Sequence, residues 1–185
     1  MGFRYELRLS GEGGQGLVLA GKILAEAAAI YDDRNATQSQ SYGPEARGGA
    51  SKSDVIIADG DIDYPKAERI DLLLALTQEA LDKYLGELKP EGYLVVDSDA
   101  VTRIPAGKWR VVRFPFVRTA REELGKAVVA NIVALGLIVR LSRAVSEPAA
   151  EQAILARVPK GTEDLNRRAF RAGLEAAEAI VPSSV

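Results

Sequence analysis

The feature that most constrains the fold lies at the start of the chain, where a period-2 segment runs straight into a glycine cluster and then into a run of helix formers. Phe3–Leu9 alternates apolar and polar residues, the pattern of a half-buried strand. Ser10-Gly-Glu-Gly-Gly-Gln-Gly16 follows, and Leu17–Ile30 then places Leu17, Ala20, Ile23, Leu24 and Ala27 on one helical face. A strand, a glycine turn and a helix in immediate succession predict the opening unit of an α/β domain. Glycine suits the turn because it adopts backbone angles closed to other residues and lets the main chain approach a neighbour or a ligand.

The rest of the chain continues the alternation. Asp32 and Asp33 close the first helix, Ala36–Ser41 is extended but polar, and Pro44 with the Gly48-Gly49 pair makes the following segment irregular. Ser53–Asp59, Asp71–Leu76, Gly92–Asp97 and Arg110–Phe114 read as short strands. Thr77 is placed to cap a helix ending near Leu85. The last third is helical: Ala127–Leu141, a helix from Ser146 as N-cap to about Arg157, and Glu163–Ile180. Ala127–Leu141 is almost wholly apolar yet shorter than the ~20 residues of a bilayer span, which marks a core or interface helix. The expectation is one domain over residues 1–185, a three-layer α/β/α fold with a largely parallel sheet and a helical C-terminal third.

Composition narrows the chemistry. The 185 residues include no cysteine and no histidine. Thiolate nucleophiles, Cys-ligated zinc, iron–sulfur clusters, histidine relays and histidine metal sites are thereby excluded from this chain. Lys and Arg number 24 against 26 Asp and Glu, a net charge of -2 that gives no case for nucleic acid or an anionic membrane. Met1–Leu9 has no basic stretch followed by an apolar one, so a cytoplasmic location is expected.

Gly11-x-Gly13-x-x-Gly16 satisfies the dinucleotide fingerprint in form and position. Its second half is missing, because an acidic residue should end an apolar second strand about 20 residues on, and Thr37–Gln40 leads instead to Ser41 and Tyr42. No Lys-Ser or Lys-Thr follows the glycines, which removes the P-loop. A tight packing turn and an anion-contacting loop are the readings left.

Three strings in order, GEGGQG at 11–16, SYGPEARGG at 41–49 and GKAVVANIVALG at 125–136, together with Asn166–Phe170 and Gly173, resemble the gamma subunit of the 2-oxoacid:ferredoxin oxidoreductases, with closest similarity to the 2-oxoglutarate branch. The resemblance implies a subunit of an enzyme that oxidatively decarboxylates a 2-oxo acid, passes the acyl group to coenzyme A and reduces ferredoxin. It implies that thiamine diphosphate and magnesium sit on alpha and beta subunits and the iron–sulfur clusters on beta or a delta chain. The gamma chain is then a structural module that is a candidate for contacting coenzyme A, and it is not expected to catalyse anything alone. The thiamine motif, GDG with a downstream Asn pair, is absent; Asp59-Gly60-Asp61 is an end-of-strand turn.

Under that resemblance the candidate contacts are the amides of Gly11, Gly13, Gly14 and Gly16 with the Gln15 side chain, Arg47 as a bidentate clamp for phosphate or carboxylate, Tyr42 as an adenine stack, and Asn131. Tyr42–Gly49 reads equally as a rigid loop docking on the alpha subunit. Asn131 reads first as a core amide bonded to a neighbouring loop, with Gly136 admitting a close backbone, and second as a residue facing the glycine loop. Asp97 and Asp99 read as turn or helix-start residues before a catalytic pair. The competing functional class is a stand-alone nucleotide- or dinucleotide-binding module.

Overall fold

A computed structural model of the chain describes residues 2–41 and 49–180. Six strands form one sheet in the order β2-β3-β1-β4-β5-β6. They are β1 (Arg4–Glu12), β2 (Asn35–Ser41), β3 (Ala50–Ala58), β4 (Ile70–Ala75), β5 (Leu88–Asp97) and β6 (Arg110–Phe114). The pairs β1–β4, β4–β5 and β5–β6 are parallel. Strand β3 runs against both neighbours, with Leu7 opposite Val55 and Gln38 opposite Val55 on the other side. The sheet is therefore mixed, with β3 as its one reversed strand, and β2 keeps the direction of β1.

The helices divide unequally between the two faces. Helices α1 (Leu17–Glu26), α3 (Phe116–Glu123), α4 (Ala130–Ser142), α5 (Glu147–Arg157) and α6 (Glu163–Ile180) cover one face, and α2 (Gln78–Tyr84) sits on the other with the connecting loops. Strand alternation sets this partition: Leu7 and Leu9 point to the five-helix layer, and Arg8 and Ser10 point the opposite way. Polar β2 is polar because it is an edge strand with a largely exposed ladder.

Local signals place most helix ends. The Thr77 hydroxyl accepts from the Ala80 amide at 3.2 Å, and the Ser146 hydroxyl accepts from the Ala149 amide at 3.2 Å, with Pro148 in the first turn. Two helices differ from the expected extents. The first is α-helical only to Glu26 and finishes as a π turn, Ala27–Tyr31, with the Asp32 amide donating to the Ala27 carbonyl. The long apolar helix opens with a 3-10 turn, Ala127–Val129, before α4.

Helix α3 was not expected from the sequence. Its N-terminus follows Pro115, and its Val117 amide donates to Asp97 Oδ2 at 3.1 Å, a cap supplied from β5 rather than from a neighbour in sequence. Residues 130–139 of α4 are all buried, which agrees with a core helix. It crosses α6 where Gly136 and Gly173 face each other, a Cβ built on either falling within 3.0 Å of the other's Cα.

Candidate functional site at the carboxyl ends of the parallel strands

The parallel strands β1, β4, β5 and β6 deliver their carboxyl ends to one rim, the place where open α/β sheets gather ligands. The glycine loop leaves β1 here. Strand pairing persists through Gly11 opposite Ser51 and Glu12 opposite Ala50, and the turn proper is Gly13–Gln15. Gly14 and Gly16 have φ of 89° and 74°, left-handed values that favour glycine.

The two ends of this loop are closed and its middle is open. A side chain at Gly11 would run into Gln15, whose Oε1 accepts from the Glu12 amide at 2.8 Å and braces the turn. A side chain at Gly16 would meet Asn131, with Asn131 Cγ at 3.0 Å. At Gly13 and Gly14 nothing stands within 4 Å of a built Cβ. Gly16 is the N-cap of α1 and gives that helix no side-chain cap; no acidic residue occupies the first turn. The backbone at Gly13 and Gly14 thus has open space beside it, ahead of the positive end of a helix whose first turn has no side-chain cap. Such an arrangement is chemically suited to an anion, and the exposed Glu12 carboxylate alone opposes one from within the loop.

Asn131 joins this loop to the start of α4. Its Nδ2 donates to the Gly16 carbonyl at 3.1 Å, and its Oδ1 accepts from the Ile132 amide at 2.9 Å. The core-amide reading and the glycine-loop reading of Asn131 are one contact, because the neighbouring loop it bonds is the glycine loop itself. Gly136 takes no part in it and serves the α4–α6 crossing instead.

Gly11, Gly13, Gly14, Gln15, Gly16 and Asn131 are therefore brought together, with Gly13 and Gly14 open to a ligand and Gln15 and Asn131 turned inward as braces. Tyr42 and Arg47 lie outside the described residues. Val128, on the turn leading to Asn131, is an apolar residue 71% exposed. Sequence reasoning missed it because it sits in what reads as a continuous apolar helix.

Other candidates resolve as structural. Asp97 is buried, and its carboxylate accepts from the amides of Asp99 at 2.9 Å, Ala100 at 3.2 Å and Val117 at 3.1 Å. Asp99 pairs with Arg118 at 3.3 Å. Ser10 donates to the Leu74 carbonyl at 2.7 Å. On one side of β1 the neighbour is antiparallel β3, whose start rather than its end lies at the rim, and on the other parallel β4 ends in Leu74-Ala75 with no acidic residue, so the acidic ribose-binding position of the dinucleotide fingerprint has no counterpart.

Groups driven from their ordinary ionisation lie elsewhere. Burial opposes the charge on Arg8, and hydrogen bonds and attraction from Asp54 and then Glu87 outweigh it, raising the guanidinium pKa. Burial, with Asp71 and Tyr93 adding, pushes the Tyr5 phenol up. Among the described residues no cluster of acidic side chains has the makings of a metal site. No helix of the described residues is long and apolar enough to cross a membrane.

Comparison with known proteins places this geometry in a family. The family model described as pyruvate ferredoxin/flavodoxin oxidoreductase matches residues 6–176. The chain is 51% identical over 179 residues to the 2-oxoglutarate synthase subunit KorC of Methanocaldococcus jannaschii, covering 96% of both chains. It is 31% identical over 172 residues to the ketoisovalerate oxidoreductase subunit VorA of Methanothermobacter thermautotrophicus, but spans 35% of that longer protein. The crystal structure of a keto/oxoacid ferredoxin oxidoreductase gamma subunit from Geobacter sulfurreducens superposes with a TM-score of 0.90 at 56% identity, covering 96% of this chain and 98% of the other.

Proposed function

The chain belongs to the pyruvate ferredoxin/flavodoxin oxidoreductase family, and we propose that it is the gamma subunit of a thiamine-diphosphate-dependent 2-oxoglutarate:ferredoxin oxidoreductase that presents its glycine loop to coenzyme A. The overall reaction turns a 2-oxo acid, coenzyme A and oxidised ferredoxin into acyl-coenzyme A, carbon dioxide and reduced ferredoxin. Full-length identity to KorC supports 2-oxoglutarate as the acid. Pyruvate and branched-chain acids are the substrates to test against it.

The residues present do not fit the redox cofactors. Without cysteine the chain has no ligands for an iron–sulfur cluster, and it lacks the thiamine motif. These groups belong on alpha, beta and delta partners in this reading, and the isolated gamma chain is colourless and inactive.

The observation that carries the coenzyme A contact is the open backbone at Gly13 and Gly14 ahead of α1, fixed by Gln15 on one side and Asn131 on the other. Coenzyme A brings a pyrophosphate and a ribose phosphate. Glycine amides and a helix N-terminus bind such anions without a metal or a lysine. Asn131 fixes where the Gly16 peptide sits, and the loop then needs no rearrangement to accept the phosphate. A cytoplasmic location accords with this chemistry.

The test is Gly13→Asp in the enzyme reconstituted with its partner subunits. A Cβ at 13 meets nothing within 4 Å, so the chain has room for the substitution, and assembly is checked by co-elution with the partner subunits. KM for coenzyme A should rise about tenfold, corresponding to ~1.4 kcal/mol of repulsion, with KM for the 2-oxo acid unchanged. An intact complex with an unaltered coenzyme A KM in both Gly13→Asp and Arg47→Ala refutes the contact. Tight binding of a nicotinamide or flavin nucleotide by the isolated chain would favour the stand-alone module.

A further inference from the structure

Charge is distributed very unevenly along the chain. Residues 101–128 hold seven Lys and Arg against two Asp and Glu, leaving 17 against 24 in the remainder. This basic stretch is the loop before β6, β6 itself and the helix after it; Arg103 lies against α2, while Lys108, Arg110 and Arg113 lie on or next to β6 at one edge of the sheet. All seven cations, from Arg103 to Lys126, are exposed. Arg110 is occupied, donating to the Glu91 carbonyl at 2.8 Å and lying over the Tyr93 ring. Arg118 and Arg103 have acidic neighbours in Asp99 and Asp82. Lys108 and Arg113 make no ion pair among the described residues.

The edge is also open for hydrogen bonding. Among the described residues β6 pairs only with β5, so one side of its five-residue ladder is unmatched. Val111 is 40% exposed beside Arg113, giving the strand an apolar contact between its charges.

We propose that β6 is a docking edge for an extended acidic segment of a partner polypeptide, which adds as a further strand. Five residues span ~17 Å, enough to register a short acidic stretch against Lys108 and Arg113. Main-chain pairing supplies attachment, and the flanking cations with Val111 select the sequence. Like charges on the edge simultaneously oppose pairing of two copies of this chain. A nucleic acid is the poorer match, because the carbonyls of an open strand edge repel phosphate and Val111 offers it nothing. This inference stands independently of the coenzyme A reading.

A fluorescein-labelled decapeptide alternating Glu with Val tests it on the full chain by fluorescence polarisation. Binding is expected, weakened at least tenfold between 50 and 300 mM salt and equally by Lys108→Glu with Arg113→Glu. Amide exchange in residues 110–114 should slow in the complex. A peptide of the same charge carrying Pro at every third position should not bind, since it cannot form the ladder. Where charge reversal disturbs the circular dichroism spectrum, Lys108→Gln with Arg113→Gln replaces it. No binding, equal binding by the Pro-containing peptide or by oligothymidylate, or unchanged exchange in β6 overturns the proposal and leaves the strip a guarded edge.

Discussion

Replacing Gly173 by Ala should destabilise the protein, although helix propensity alone predicts the reverse. Gly173 lies inside α6, where Ala is favoured over Gly by about 1 kcal/mol. A methyl there would stand 2.7 Å from the Leu137 amide nitrogen and 2.9 Å from Gly136 Cα, and nearer still to the Val133 carbonyl oxygen. Each is a backbone atom of α4 and cannot rotate aside, so the helices must separate. A gap of 0.5–1 Å forfeits roughly a quarter to a half of each dispersion contact along the seam. Val133, Leu137 and Phe170 are buried in that seam. Overpacking of this kind costs about 1–3 kcal/mol, and contact between two backbones belongs at or beyond the upper end. Against the propensity gain the net loss is ~2 kcal/mol, a fall in Tm of about 4–8 °C for a domain of this size.

Urea and thermal unfolding of the isolated chain measure it. Gly136→Ala, whose methyl meets the Phe170 carbonyl and the Leu174 amide, should behave alike. The double variant should lose less than the two single losses combined, because the first methyl already opens the seam. Gly86→Ala, with nothing within 4 Å, is the control. A rise in Tm for Gly136→Ala or Gly173→Ala would refute the close crossing.

Arg8→Met should cost about 3 kcal/mol, because it removes both guanidinium hydrogen bonds to the buried Asp54 carboxylate and leaves it only Lys52 Nζ at 3.2 Å; Arg8→Met with Asp54→Leu should recover most of that in urea melts. Asn131→Ala should lose about 1 kcal/mol, because it removes the second donor to a Gly16 carbonyl that keeps the Ala20 amide and removes the side-chain acceptor of the Ile132 amide, and in the reconstituted enzyme it should raise the coenzyme A KM more than the 2-oxo acid KM. Glu26, whose pKa is lowered by its hydrogen bonds from Arg157, contributes stability above the ordinary carboxylate pKa and loses it as pH falls through its depressed folded value. Glu26→Gln should therefore be less stable than the parent at pH 7, with the difference vanishing in acid; a difference that grows below pH 4 would contradict the pairing.

Much of the scaffold was legible locally. The strand at Phe3–Leu9, the turn at Gly11–Gly16 and the caps Thr77 and Ser146 are encoded within a few residues, but the alternation that predicted a half-buried strand misled on burial: Glu6, Arg8 and Ser10 are buried as well, because α2 and its loops cover the second face and Arg8 is paired there with Asp54. Helix α3 was not legible, because its cap is Asp97, 20 residues earlier on another strand. At the rim the residue types were readable but their division of labour was not. Gln15 was grouped with Gly13 and Gly14 as a ligand contact, yet its amide oxygen turns inward to the Glu12 amide, and Asn131, read first as a core amide bonded to a neighbouring loop, bonds the glycine loop.

By itself the sequence determined which chemistries are excluded, since absent cysteine and histidine are properties of composition, and where the strands and every helix but α3 form, since periodicity and capping act over a turn or two. Only the tertiary structure decided the reversal of β3, the bond from Asn131 to Gly16 across 115 residues, and the meeting of Gly136 with Gly173. Strand direction and helix crossings depend on which buried faces meet, and no short stretch of chain carries that information.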